Sequence, residues 1–96
     1  MNQELWNKVI RAKAVINCRS NADAQSLLEY FKTQNIIWSG RVKLTDDLGW
    51  DWHEENTIYY IDNRKLTLAH MRWHKENFPE QEIIDCEDLL NCRKEN

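Results

Sequence analysis

The stretch from residue 20 to 35, SNADAQSLLEYFKTQN, does most to limit how this chain can fold. Ser20-Asn21-Ala22-Asp23 has the S-x-x-D spacing of a helix start, in which the Ser20 hydroxyl accepts an orphaned backbone amide and the Asp23 carboxylate reaches back. Ala24, Leu27, Leu28 and Phe31 then recur at i, i+3, i+4 and i+7, so one face is apolar while Gln25, Glu29 and Lys32 point to water. Asn35 stands where a helix takes a left-handed residue to end it, a conformation Asn tolerates better than most side chains. A helix with such a face has to cover something, and the runs around it supply a sheet.

Residues 12–18, with Ala14, Val15 and Ile16, read as a first strand, and Ile36-Ile37-Trp38 resumes in extended form before a turn at Ser39-Gly40. Residues 57–62, TIYYID, and 65–70, KLTLAH, read as an antiparallel hairpin turning through Asp62-Asn63-Arg64-Lys65. Residues 82–85, EIID, form a short last strand, and Asp85, with Asp88 three positions on, can cap a final helix presenting Leu89 and Leu90. At the other end, residues 1–11 carry Leu5, Trp6, Val9 and Ile10 along one edge of a short amphipathic helix. Residues 71–78, with Met71, Trp73, His74 and Phe78, fit a short helix and an irregular crossing equally, and Pro79 closes them. The order predicts a single α+β domain over residues 1–96. Its sheet is small and mainly antiparallel, with one amphipathic helix packed on a face and short terminal helices. At 96 residues about 60–65% of the unfolded chain's surface can be buried, and Trp6, Trp38 and Trp73 are each suited to filling that core.

Composition removes several function classes. Sixteen acidic residues against thirteen basic ones, with no dense Lys/Arg cluster, argue against direct nucleic-acid binding, which rests on phosphate neutralisation. The apolar runs fall far short of the roughly 20 residues that a membrane span needs, and residues 1–11 lack the apolar segment of a signal peptide, so a cytoplasmic location is expected. Cys18, Cys86 and Cys92 are odd in number and make no CxxC pair, which points to reduced thiols. Two glycines, Gly40 and Gly49, exclude a phosphate-cradling loop, and no elbow surrounds any Ser or Cys. No catalytic residue is assigned, no cofactor is expected, and the reading is that of a protein that is not an enzyme. His70 and His74, four apart, with Cys86 and Cys92 downstream, match no familiar zinc spacing, so no metal site is assigned.

Residues 38–55, WSGRVKLTDDLGWDWHEE, set three of the five tryptophans beside five acids where neither helical nor strand periodicity can be read. Trp50 and Trp52 in W-D-W either cap an open end of the core or form a contact surface, a role in which Trp is favoured as an anchor. Asp46, Asp47, Asp51, Glu54 and Glu55 around them would repel a nucleotide and attract a basic surface, so a protein partner is the expected occupant. On this reading, replacing Trp50 and Trp52 by Ala abolishes binding and leaves the domain folded. A second candidate site lies on the other flank, where Trp38, Arg41, Lys43, Arg72 and Trp73 combine aromatic platforms with cations and suit a nucleotide.

Residues 27–40, LLEYFKTQNIIWSG, resemble a pattern in small phage and prophage accessory proteins: an amphipathic helix, a Gly or Asn break, an aromatic or Ile, then W-S-G. The likeness continues through TIYYIDNRKLTL and IIDCEDLL; Asn35 replaces the commoner Gly, and residues 49–55 fall outside the shared pattern. The resemblance implies an intracellular protein of a phage or mobile element, from a class that contains inhibitors of bacterial defence. Some of these look like anti-CRISPR proteins that occupy a nuclease, and others are sponges for a cyclic nucleotide immune signal. The expectation is a non-enzymatic inhibitor in the host cytoplasm that binds a CRISPR effector-like defence protein through the acidic tryptophan loop. The alternative expectation is a cyclic-nucleotide sponge.

Overall fold

A computed structural model describes residues 2–38, 50, 53–62 and 65–90 of the chain. Helix α1, Gln3–Ile10, starts where the Asn2 side chain accepts the Leu5 amide at 3.2 Å. Trp6 and Val9 point inward from α1, but Ile10 is exposed. It closes the helix where the chain turns away through Ala12, at φ 58. Strand β1, Ala14–Cys18, follows, and then α2, Asn21–Thr33, whose N-terminal amide at Asp23 is taken by the Ser20 hydroxyl at 3.1 Å. Ala24, Leu27, Leu28 and Phe31 are the buried residues of α2, and Asn35 is left-handed at φ 60. The cap and the apolar face sit where the spacing puts them.

Strands β2 (Ile37–Trp38), β3 (Thr57–Asp62), β4 (Lys65–His70) and β5 (Glu82–Asp85) join β1 in a five-stranded sheet of order β2-β4-β3-β1-β5. Its centre is antiparallel: the hairpin pairs Thr57 with His70 through to Asp62 with Lys65, and Ile16 of β1 lies opposite Tyr59. Both edge pairings are parallel, β5 with β1 (Ala14 opposite Glu82 to Asn17 opposite Asp85) and β2 with β4 (Ile37 opposite Lys65). The sheet is therefore mixed, antiparallel in the middle and parallel at both edges. The crossovers through α2 and α3 return β2 and β5 in the sense of β1 and β4, which run the same way because β3 is antiparallel to both, so each edge strand is parallel to its neighbour.

The core lies on one face. Ala14, Ile16, Cys18, Tyr59, Ile61, Leu66 and Ile84 pack there with Trp6 and Val9 of α1, the apolar side of α2, and Cys86 and Leu89 of α4 (Cys86–Leu90). Alternation sends Val15, Ile58 and Tyr60 to the opposite face. There α3, Met71–Asn77, crosses β3 and β4. The segment that was open between helix and crossing is thus helical, started by the His70 imidazole, whose Nδ1 accepts the Arg72 amide at 2.9 Å. Among the described residues no helix is long and apolar enough to cross a membrane.

Candidate functional site

Two regions carry polar chemistry that the core does not use: the turn that leads into β3, and the groove under α3.

Of the residues expected in the acidic tryptophan loop, Trp50, Glu54 and Glu55 are described, whereas Asp46, Asp47, Asp51 and Trp52 lie outside the described residues. Trp50 is half-buried and packs against the core cluster. Its Nε1–H donates to the Cys18 carbonyl at 2.9 Å, and its own carbonyl accepts the Thr57 hydroxyl at 3.2 Å. From there the backbone folds into a 3-10 helix, Glu54–Asn56, with His53 N–H on the Trp50 carbonyl at 3.2 Å and Asn56 N–H on the His53 carbonyl at 3.0 Å. Buried Asn17 fastens the far end: its amide donates to the carbonyls of Glu55 at 2.9 Å and Thr57 at 3.0 Å. Glu54 is left-handed at φ 52, a conformation that disfavours a residue with a Cβ, yet both Glu54 and Glu55 are exposed. Hydrogen bonds to the rest of the fold hold the turn in that shape, and two carboxylates stand out from it. Trp50 holds the turn in place from beneath, so its replacement by Ala tests folding together with binding.

The second candidate set is spread apart. Trp38 contributes backbone to β2, its side chain and Arg41 and Lys43 lie outside the described residues, and the neighbours Arg72 and Trp73 diverge on α3. Arg72 borders a shallow hollow of about 350 Å³ with His70 and Lys75, while Trp73 borders a larger groove of about 660 Å³. Trp73, expected in the core, is 45% exposed. The inward position on α3 belongs to His74, 2% exposed, because successive helical residues point about 100° apart and only one of the pair can face the sheet.

The groove runs between α3 and the end of the hairpin, with Tyr60, Asp62, Trp73 and Phe78 along it. The Phe78 ring meets Trp73 edge-on at 5.8 Å and lies tilted over His74 at 5.7 Å. The His74 Nε2 is buried without a hydrogen-bond partner among the described residues. Burial lowers the pKa of this imidazole, against a smaller opposing effect of the Gln81 backbone, so the ring is favoured in its neutral form. The sequence reading did not single out this groove; its one trace was the cluster of Trp73, His74 and Phe78 before Pro79.

No protein-family model, curated protein or solved structure matches the chain.

Cys18 and Cys86 follow the in-register pair Asn17 and Asp85 on adjacent parallel strands, and both are fully buried. The Cys18 thiol hydrogen-bonds with Cys86, and this, then burial, then the charges of Cys86, Asp23 and Asp85, raise its pKa far above that of a free thiol. Cys86 in turn leans on the Asp23 carbonyl at 3.5 Å. A thiol so strongly held in its protonated form is a poor nucleophile and a poor metal ligand. Among the described residues no group of three or more His, Cys, Asp and Glu side chains could hold a metal ion: His70 is occupied capping α3, and His74 and Cys86 lie on opposite faces of the sheet.

Proposed function

We propose that the protein is a non-enzymatic inhibitor of the phage type, which docks its acidic turn on a basic surface of a bacterial defence protein such as a CRISPR effector. The observation that carries this reading is the pinned turn at residues 53–56. Glu54 and Glu55 are exposed on a backbone fixed by Trp50, Thr57 and Asn17, so little ordering entropy is lost when a partner's cations meet them. Asp46, Asp47, Asp51 and Trp52 extend the same acidic and aromatic sequence. The resemblance to phage accessory proteins supplies the class of partner. The cyclic-nucleotide alternative has no comparable support, since Arg72 and Trp73 border separate hollows.

The test is charge reversal at Glu54 and Glu55, which touches no core contact. Expressed in a CRISPR-immunised host, the wild-type protein should raise the plating efficiency of a targeted phage by orders of magnitude, and Glu54→Lys/Glu55→Lys should return it to the uninhibited level with an unchanged melting temperature. A double variant that protects phage as well as the wild type sinks the reading.

A further inference from the structure

The groove beneath α3 lies at the opposite end of β3 from the acidic turn, and the charged side chains along it are carboxylates. Asp62 and Glu80 border it, and no Lys or Arg is among its described lining residues. Each of its two side-chain amides has one of its two N–H groups engaged elsewhere. Asn77 Nδ2 donates to the Trp73 carbonyl and Gln81 Nε2 to the Ala12 carbonyl, each at 2.8 Å, which leaves the two amide oxygens unspent. The backbone amides of Phe78 and Gln81 are bonded to the carbonyls of His74 and Phe78, and Pro79 has none to offer. Beneath the Phe78 ring lies His74, whose buried Nε2 has no hydrogen-bond partner among the described residues. Trp73 and Phe78, 45% and 49% exposed, present ring faces whose quadrupoles also attract positive charge.

From this we infer that the groove is a binding site for a small organic ammonium ion with an aromatic body, its cationic head among Trp73, Phe78 and Asp62 and its body along the half-buried Tyr60. A volume of about 660 Å³ lies within the usual range for small-molecule sites. A phosphate-bearing ligand is disfavoured there by the two carboxylates and the absence of Lys or Arg among the described lining residues.

The probes are benzyltrimethylammonium, its uncharged carbon isostere and benzenesulfonate, titrated against the full chain while the Trp73 indole resonance is followed, with assignment by Trp73→Phe. The cation should shift that resonance and bind about tenfold more tightly than the isostere, and benzenesulfonate should not bind. Trp73→Ala and Asp62→Asn, both surface changes checked for unaltered melting, should each weaken the cation by about tenfold. N-acetyl-lysine amide, which carries an ammonium on a peptide frame, should bind more weakly than the aryl cation; tighter binding would move the site to a protein side chain and overturn the small-ligand inference. Equal affinity for the cation and its isostere, preference for the sulfonate, or no shift at millimolar cation would each overturn it outright. None of these outcomes depends on the acidic turn, so the two readings stand or fall separately.

Discussion

The Trp50 side chain meets the body of the protein through one hydrogen bond and its packing against the core, so its two contributions can be separated. Trp50→Phe keeps most of the packing and loses the bond to the Cys18 carbonyl, at about 1 kcal/mol; Trp50→Ala loses both, at about 2–3 kcal/mol, measured by urea unfolding. His74 makes stability depend on pH. Its folded pKa lies below the ordinary 6.5, so between the two values the unfolded chain binds a proton that the folded chain does not. The stability it contributes is complete above 6.5 and is lost as pH falls towards the folded pKa. The urea midpoint should therefore drop from about pH 7 to 5, and His74→Phe should flatten that slope. Asp23 acts with the opposite sign and closer to its own ordinary value of 3.8: burial first, then the charges of Glu87 and Asp85, raise its pKa, so its ionisation at higher pH costs stability. Comparing wild type with His74→Phe isolates the histidine.

Both longer helices end by the same device. After α1, Lys13 N–H returns to the Lys8 carbonyl and Ala12 N–H to that of Val9; after α2, Ile36 N–H returns to Phe31 and Asn35 N–H to Lys32. Each is a Schellman cap with a left-handed residue at its corner, Ala12 at φ 58 and Asn35 at φ 60. Alanine bears the steric cost there without a compensating side chain. Ala12→Gly should thus raise stability by up to about 1 kcal/mol, read from the shift in urea midpoint, while Asn35→Gly should change it by a few tenths. At the opposite ends, Ser20→Ala should cost about 1 kcal/mol by leaving the Asp23 amide without its cap. The Arg19 ion pair to Asp85, 3.3 Å across a largely exposed guanidinium, adds little beside the cap that Asp85 gives the Glu87 amide.

Across the whole molecule, β1 and β3 are flanked over most of their length, β4 is flanked on one side only by the two-residue β2, and β5 is held at one edge by a pairing that spans most of the chain. Native-state hydrogen exchange should be slowest in β1 and β3 and faster in β5 and β2, following how far each strand's amides sit from an edge. Ile84, buried in β5 against the core, ties that edge down, and Ile84→Ala should cost about 2–4 kcal/mol and speed exchange in β5 before β3.

Local chemistry was readable in the sequence wherever it acts within a few residues. The Ser20 cap, the apolar face of α2, the left-handed Asn35, the hairpin and the Asp85 cap each depend on spacing alone, and each stands in the structure where the spacing puts it. Ala12 escaped notice because alanine gives no sign of a positive φ. Distant chemistry was not readable. Which of Trp73 and His74 faces inward depends on how α3 is rotated over β3 and β4, and that is set by packing between elements far apart in sequence. The parallel edges, the meeting of Cys18 with Cys86 and the fastening of Trp50 to Cys18 are of the same kind, since a one-dimensional pattern records what a residue prefers and not what the fold brings beside it.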